Sequence, residues 1–322
     1  MKTETPGGPG VLAILLIFAM VSSAIASDSE YEAQTPSPSN MDSPAGHGWV
    51  SIQAQDLYSH GDYEGPAGVD SGNVRFYSLQ LNAAYFVASH WDLHLGIPYI
   101  SAQYTGAFAH PQLPCPPNCA PTEVDNGHYH GYWQDWDAGV RYHTDIDGYE
   151  IAPSLDVYVP SNNYPFYGSA TVGQRTRRVG LGADISHQFD YSNIFYVGHF
   201  QYVFNQHVLG INNNYSSFGL DLGYFLTPHF SVRAITDVKL GDGYADSQIM
   251  PFAPAPGAPT NGVNPIWELH DKFRLEEHAD IGATCDYVFG LNMLSFTAAH
   301  SFWGNSDSRL TYAVAVMLTR SF

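Results

Sequence analysis

The chain has 322 residues, and its hydrophobic content of 44% is ordinary for a globular protein. Its formal net charge of -19 at pH 7, with only 12 Lys plus Arg, excludes a phosphate-binding surface, because nucleic-acid affinity rests on clustered basic side chains. We therefore predict no nucleic-acid partner. The 22 Tyr, 18 Phe and 30 Gly form a mixture that favours strands over helices.

The first 26 residues have the pattern of a secretory signal peptide. Lys2 supplies a positive start, residues 11–21 form an apolar run too short to span a bilayer, and a small-x-small cleavage pattern ends at Ala26. An uncleaved anchor is the alternative, but no stop-transfer charge follows the run. We therefore predict export, with cleavage after Ala26.

Residues 27–47 are rich in Ser, Pro, Asp and Glu and show almost no apolar periodicity. Such a segment cannot bury enough apolar surface to order itself. We predict a disordered periplasmic lead over 27–47 and a folded domain over 48–322.

Alternation of apolar and polar residues, without an apolar run of about 18 residues, marks the chain beyond residue 48. In the last segment, every second residue from Leu310 to Leu318 is apolar and shares the parity of Phe322, while Thr, Ala and one Met lie between them. One face of such a strand suits lipid and the other suits a lumen. Arg320 interrupts the apolar face, but a long side chain two residues from the end can reach the headgroups.

The pattern recurs often enough to predict about twelve strands, with ten or fourteen as alternatives. Short joins alternate with longer connections, as in outer-membrane barrels, which have short periplasmic turns and longer outward loops. We therefore predict a transmembrane antiparallel up-and-down β-barrel in a bacterial outer membrane, with both termini periplasmic. A soluble β-sandwich is the alternative, but its core would not accept the Arg, Asp and His of the second face unpaired. The short joins lie near Ser89, Asp147, Tyr191, Pro228 and Gly290.

Residues 133–243 contain the segments WDAGVRYH, PSLDVYVPS, RRVGLGADISHQF and FGLDLGYFLTPHFSVRAITDVKLGDG. This run of strands resembles the outer-membrane transporter-like family named for the meta-pathway of phenol degradation. The resemblance implies a channel for small hydrophobic compounds. It carries over no catalytic residues.

Charged and histidine side chains on the polar parity of the strands are the candidate lumen lining. A barrel of about twelve strands lies between the filled eight-stranded kind and the open porins, so its interior is either a narrow channel or a packed plug. The interior charges then either pair with one another structurally or form a selective constriction. Acids outnumber bases, which is a hint of cation preference. The candidates are Asp92, His94, Asp137, Arg141, His143, Asp156, Arg178, Asp184, His199, Asp221, Arg233, Asp237, Lys239, Asp280 and Asp286, with Glu150 and His278 on the same parity.

Cys115 and Cys119 lie in a Pro-rich segment of a predicted outward loop, where an oxidising exterior favours a small disulfide. A metal site using His110, His128 and His130 of the same loop is the alternative. We predict the disulfide, no metal and no cofactor. Cys285 has outward parity and is expected to face lipid.

The function predicted from these observations is passive diffusion of small solutes, hydrophobic or aromatic compounds among them, across an outer membrane whose lipid surrounds the barrel. One alternative is a structural or adhesive barrel with an occluded lumen. A lipid hydrolase using His300 and Ser301 with Asn305 is a further alternative, but neighbours in a strand point to opposite faces, so we predict no enzyme. The connection over 242–271 suits either a mobile lid or an inward-folded constriction. The sequence does not specify an oligomeric state.

Overall fold

The computed structural model describes residues 45–62, 72–107, 110, 121–253, 264–305 and 308–322. Within these residues, twelve antiparallel strands close into a barrel, in which β4, β5 and β6 follow one another as a single interrupted strand. The strands are β1 (Gly48–Asp62), β2 (Asn73–Ala88), β3 (Trp91–Thr105), β4 (His130–Trp133), β5 (Asp135–Tyr142), β6 (Thr144–Ile146), β7 (Tyr149–Pro160), β8 (Arg178–Gln188), β9 (Ile194–Asn205), β10 (Tyr215–Thr227), β11 (Phe230–Gly241), β12 (Glu277–Phe289), β13 (Asn292–Asn305) and β14 (Ser308–Ser321).

Every strand of the barrel pairs with its neighbours in the chain, and β14 pairs with β1 to close the sheet. At the seam, the Phe322 amide donates to the Gly48 carbonyl over 3.0 Å, and the Gly48 amide donates to the Phe322 carbonyl over 3.1 Å. Closure leaves no exposed sheet edge, as a strand structure in lipid requires. The predicted fold class and strand number are confirmed.

Short turns lie at the end of the barrel that holds both termini, which we call the terminal end. The connections at the opposite, distal end are longer, except between β13 and β14, which are separated by residues 306–307 alone. The turn between β6 and β7 shows why its residues suit a tight hairpin. Asp147 and Gly148 have φ values of 55° and 82°, and two consecutive positive φ values define the turn that matches strand twist. The predicted alternation of short and long joins therefore reflects the two barrel ends, except at residues 303–308, where a long connection was predicted and the strands continue to Asn305 and resume at Ser308.

The outer surface carries a belt of exposed apolar side chains, because alternate residues of each strand point away from the lumen. Leu93, Leu181 and Leu220 are each about half exposed, on three different strands. No helix in the described ranges is long and apolar enough to cross a membrane. The apolar belt is the face that suits lipid.

Because of a β-bulge near the start of β14, the predicted outward orientation of Leu310 is wrong. Tyr58 pairs with Tyr312 and Ser59 pairs with Leu310, so Thr311 is the extra residue. The bulge reverses the parity, and Leu310 is only 1% exposed inside the barrel instead of facing outward. Alternation alone does not reveal such an insertion.

The long connections fold into the distal end of the barrel. Val124, Tyr164 and Val172 belong to the same buried cluster as Leu57 of β1 and Phe76 of β2. We call the inward-folded residues the loop cap: His110, residues 121–129 between β3 and β4, residues 161–177 between β7 and β8, and residues 264–276 between β11 and β12.

The connection between β11 and β12 also contains two short helices, α1 (Asp246–Ile249) and α2 (Pro265–Glu268). Residues 269–276 pack inward, since Phe273 is fully buried and His270 is nearly so, whereas Met250 is 58% exposed. Of the two predicted arrangements, residues 269–276 adopt the inward-folded one, and residues 254–263 of this connection lie outside the described residues.

Candidate functional site

One side of the lumen is lined without ionisable groups. The inward-facing side chains described on β13, β14, β1 and β2 are all apolar, hydroxyl or amide groups, and we call this surface the neutral wall. Its members are Trp49, Ser51, Gln53, Gln55, Leu57, Ser59, Val74, Phe76, Ser78, Gln80, Asn82, Ala84, Phe86, Met293, Ser295, Thr297, Ala299, Ser301, Leu310, Ala313, Ala315, Met317 and Thr319.

Several polar atoms of the neutral wall have no hydrogen-bond partner among the described residues. On β1 these are Trp49 Nε1, Gln53 Nε2, Gln55 Nε2 and Ser59 Oγ, and Thr319 Oγ1 lies on the adjacent β14. Gln53 is only 2% exposed. Since buried polar atoms in proteins are nearly always paired, these atoms retain unused hydrogen-bonding capacity.

The remaining strands, β3 to β12, carry the charged side chains of the lumen, and we call this surface the charged wall. Toward the terminal end, Asp92 is the centre of a network. Its Oδ2 lies 2.6 Å from His143 Nε2 and 3.7 Å from Arg141 Nε. The Arg141 Nη1 in turn lies 3.3 Å from Asp184 Oδ2, and His199 Nδ1 lies 2.8 Å from the other oxygen of that carboxylate.

A second network of the charged wall centres on Arg233 of β11. Its guanidinium contacts Asp286 through Nε at 2.8 Å and through Nη2 at 3.2 Å, and it also bonds Asp221 through Nη1. The side chains of Arg233, Asp221 and Asp286 are almost fully buried. A cation between two carboxylates on neighbouring strands offsets the cost of burying each charge.

Toward the distal end, charged pairs join the wall to the loop cap. Lys239 Nζ lies 2.7 Å from Glu276 Oε2, and Gln174 of the cap donates to Glu276 Oε1 over 3.1 Å. Arg178 Nη2 contacts Asp135 Oδ2 at 3.2 Å, and Tyr164 of the cap donates its hydroxyl proton to the other oxygen of the same carboxylate. The cap is therefore anchored by buried polar bonds as well as by apolar packing.

All the candidate lumen residues are buried or half-buried, on the side of their strands opposite the apolar belt. Their role in lining a conducting path stays a prediction. The structure pairs most of them: His94 bonds Asp156 at 2.6 Å, and His278 lies 3.9 Å from Asp237. The Asp137 carboxylate lies directly against Gly96, so a Cβ at that position would force the carboxylate to move.

Asp125 holds the loop cap together. Its carboxylate accepts backbone amide protons from His110 at 2.9 Å and from Ser169 and Ala170, each at 3.0 Å. Burial raises the pKa of this carboxyl, but the hydrogen bond and charge of His110, together with the backbone amides, lower it below its usual value overall. Burial likewise lowers the pKa of the His110 imidazole, while the bond to Asp125 and the charges of Asp271 and Asp125 outweigh it and raise that pKa.

The remaining predicted sites fall in different places. The Cys115–Cys119 disulfide lies outside the described residues and stays a prediction, while Cys285 is a free, exposed cysteine on the outer face. His130, one of the predicted metal ligands, lies with its Nε2 2.9 Å from Asn126 Oδ1. Within the described part of the loop cap, the histidines that lie beside carboxylates are His110 and His270.

His300 and Ser301 lie on opposite faces of β13. His300 is exposed on the outer surface, whereas Ser301 is buried and donates its hydroxyl proton to Asp280 Oδ1. The His300 imidazole bonds the Ser301 backbone carbonyl through Nδ1 at 3.1 Å, and not the Ser301 hydroxyl, which bonds Asp280. This pair therefore lacks the geometry of a base and its nucleophile.

Sequence reasoning from charge alone missed the neutral wall and the loop cap. The neutral wall has a sequence signal, because Gln53, Gln55 and Ser59 share one parity on a strand whose other face is apolar. Asp125, His270 and Asp271 have none, because they lie in irregular connections that no periodicity describes.

No protein-family model matches the sequence, and no curated protein matches it either. Solved structures with the same fold do exist. An outer membrane channel from Pseudomonas putida superimposes with a TM-score of 0.61 at 11% identity, covering 88% of this chain and 99% of that one. The fold is therefore that of an outer-membrane β-barrel.

Two further solved structures are less similar. The β domain of the Bordetella autotransporter BrkA gives a TM-score of 0.48 at 11% identity, covering 86% of this chain and 100% of that one. The NanC porin gives 0.45 at 10% identity, covering 84% and 98%.

Proposed function

We propose that the protein is a bacterial outer-membrane channel through which small uncharged solutes, hydrophobic and aromatic ones included, diffuse passively. In this proposal a signal peptide over residues 1–26 directs export, residues 27–47 form a periplasmic lead, and both termini face the periplasm. The outer-membrane fold and the apolar outer belt support the location. The implied solutes agree with the resemblance to the phenol meta-pathway family.

The neutral wall is the observation that carries the proposal. It places apolar side chains such as Leu57 and Met317 beside polar atoms such as Gln53 Nε2 and Gln55 Nε2 that have no partner within the described chain. A solute with an apolar body and a hydroxyl group matches this surface in both respects, since its hydroxyl satisfies a buried donor. Ions gain nothing from a wall without charges.

In the proposed channel, the charged wall has a structural role. Asp92, Arg141 and Asp184 are already bonded to partners on neighbouring strands, so their charges are largely neutralised within the wall. Breaking one such pair leaves an uncompensated buried charge. The pairs therefore hold the barrel shape while the neutral wall faces the solute.

An occluded structural barrel is the second candidate, and the loop cap favours it because its buried cluster fills part of the distal end. Single-channel recording of the refolded chain in a planar bilayer separates the two. Discrete conductance is expected for a channel. Silence in both this assay and the swelling assay below, from protein shown to be folded, contradicts the proposal and favours the occluded barrel.

Solute preference is tested by swelling of vesicles that contain the protein, with glucose and phenyl glucoside as neutral solutes. A simple sieve passes the smaller glucose faster. A neutral wall that binds apolar groups is expected to pass phenyl glucoside at least as fast, after subtraction of the rate in protein-free vesicles. Glucose passing clearly faster would contradict a preference for aromatic solutes.

The wall itself is tested by Ala315→Trp on β14, which places an indole in the lumen where Ala315 is buried. We expect conductance and swelling to fall several-fold. Val316→Trp is the matched control, because Val316 is the next residue and points into the outer belt. Heat-modifiable mobility in gels verifies that both variants fold. Equal loss of conductance in the two variants would show that the neutral wall does not line the conducting path.

A further inference from the structure

Three ionisable side chains from two different connections meet in the loop cap. His110 comes from the connection between β3 and β4, and His270 and Asp271 come from the connection between β11 and β12. One ligand atom from each lies within 4.8 Å of the others. His270 is buried, and the other two side chains are largely buried.

In each of the two imidazoles, the hydrogen-bond partner of Nδ1 determines which ring nitrogen faces the other two side chains. His270 Nδ1 lies 2.6 Å from the Trp267 carbonyl oxygen, which can only accept, so this Nδ1 carries the proton. His110 Nδ1 lies 3.1 Å from Asp125 Oδ2, again an acceptor. With the proton on Nδ1, each neutral ring carries its lone pair on Nε2. A backbone carbonyl or carboxylate behind the imidazole is the arrangement that orients histidine ligands of metals.

The two imidazoles meet edge to edge through these Nε2 atoms. The nitrogens are 3.3 Å apart while the ring centroids are 5.3 Å apart, so the rings do not overlap face to face. At this separation two lone pairs repel, so either a proton or a metal ion must lie between them. In a tetrahedral zinc site with bonds of about 2.0–2.1 Å, neighbouring ligand atoms are about 3.3 Å apart.

The two carboxylate oxygens of Asp271 make different contacts. Oδ1 lies 3.0 Å from His270 Nε2 and faces the group. Oδ2 accepts the Gly168 backbone amide proton over 3.0 Å, which fixes the carboxylate and connects it to the third connection, between β7 and β8. Asp125 makes the same kind of link through Ser169.

We propose that His110, His270 and Asp271 bind a divalent transition-metal ion of the zinc class, which ties the three connections of the loop cap together. Two imidazole nitrogens and one carboxylate oxygen suit Zn²⁺ and leave a fourth position for water. Mg²⁺ and Ca²⁺ prefer all-oxygen sites and are not expected to bind here. The site does not depend on whether the barrel conducts.

The test uses the mature chain, refolded in detergent without a polyhistidine tag and treated with EDTA, which is then removed. Calorimetric titration with Zn²⁺ is expected to give one ion per barrel with low-micromolar or tighter affinity, and titration with Mg²⁺ no binding. Zn²⁺ is also expected to raise the melting temperature. If the gap between the imidazoles holds only a shared proton, neither signal appears, and the proposal is overturned.

Two variants remove a ligand while keeping shape, His110→Gln and Asp271→Asn. Each is expected to abolish the high-affinity binding and the Zn²⁺-dependent rise in melting temperature. Asp125→Asn keeps all three ligands but changes the orienting partner of His110 and one oxygen that accepts backbone amides of the cap. In protein verified to fold, it is expected to weaken binding by roughly 10–100-fold.

His128→Gln is the matched control, because His128 is an exposed histidine of the same connection as His110. It is expected to bind Zn²⁺ as the unmodified protein does. Asp271→Asn is the decisive variant, since its amide oxygen still accepts the Gly168 proton and the cap is expected to fold. Unchanged affinity in folded Asp271→Asn, or loss of binding in His128→Gln, would place the ion elsewhere and overturn the proposal.

Discussion

At the scale of single residues, Arg233 shows how a lumen charge stabilises the barrel. It bonds Asp286 through two nitrogens and Asp221 through a third, on the two strands that flank its own. Because all three side chains are buried, removing the cation leaves two carboxylates without compensation.

We therefore predict that Arg233→Met lowers the free energy of unfolding by roughly 3–5 kcal/mol, the cost of breaking a buried ion pair. Denaturant unfolding in lipid vesicles, followed by tryptophan fluorescence, measures the change. Adding Asp221→Asn and Asp286→Asn to Arg233→Met is expected to restore part of the lost stability, because the unpaired charges are then gone.

Arg75 provides the control at the same scale. It bonds Asp56 at 3.0 and 2.7 Å, but on the outer surface, with 38% of its side chain exposed. Water and ions screen such a pair, so Arg75→Met is expected to cost much less than Arg233→Met. Equal losses in the two variants would show that burial is not the cause.

At the scale of the element, the hairpin of β12 and β13 tests which face meets lipid. Phe296 is about half exposed on the outer surface and pairs with Cys285 and Val316, well inside the sheet. Leu291 is similarly exposed but lies in the turn at the terminal end.

We predict that Phe296→Arg lowers the free energy of unfolding in vesicles by roughly 2–4 kcal/mol, whereas Leu291→Arg costs about 0–1 kcal/mol. The difference arises because a guanidinium near the bilayer centre loses its hydration, while one at the interface keeps it. If the two substitutions cost the same in vesicles, the outer belt does not lie in lipid as proposed.

At the scale of the whole molecule, the loop cap decides how open the distal end is. Residues 161–177 connect two adjacent strands, β7 and β8, yet they fold inward and contribute Tyr164, Ala170 and Val172 to the buried cluster. A much shorter link between neighbouring strands is geometrically sufficient.

Replacing residues 163–175 by a four-residue Gly-Ser link is therefore predicted to raise single-channel conductance several-fold, because the inward-folded segment no longer narrows the lumen. The matched control shortens residues 207–211 between β9 and β10, which are largely exposed, and is expected to leave conductance unchanged. Conductance unaltered by removal of 163–175 would place the narrowest part of the path elsewhere.

The sequence alone determined the features of this molecule that follow from regular alternation within strands. Period-two alternation and the spacing of turns predicted the barrel, its strand number and the inward parity of residues such as Asp92 and Arg233, because in a strand each side chain's face follows from its position. The misplaced Leu310 marks the limit of that rule, since one inserted residue at Thr311 reverses the parity and leaves no local trace.

Only the tertiary structure brought together what lies far apart in the chain. His110 meets His270 across 160 positions, and Gly168 meets Asp271 across 103. The neutral wall likewise exists because β14 closes onto β1, which joins the uncharged inner faces of strands from the two ends of the chain. Such contacts depend on barrel closure and on the folding of irregular connections, where no periodic pattern relates a residue's position to its neighbours in space.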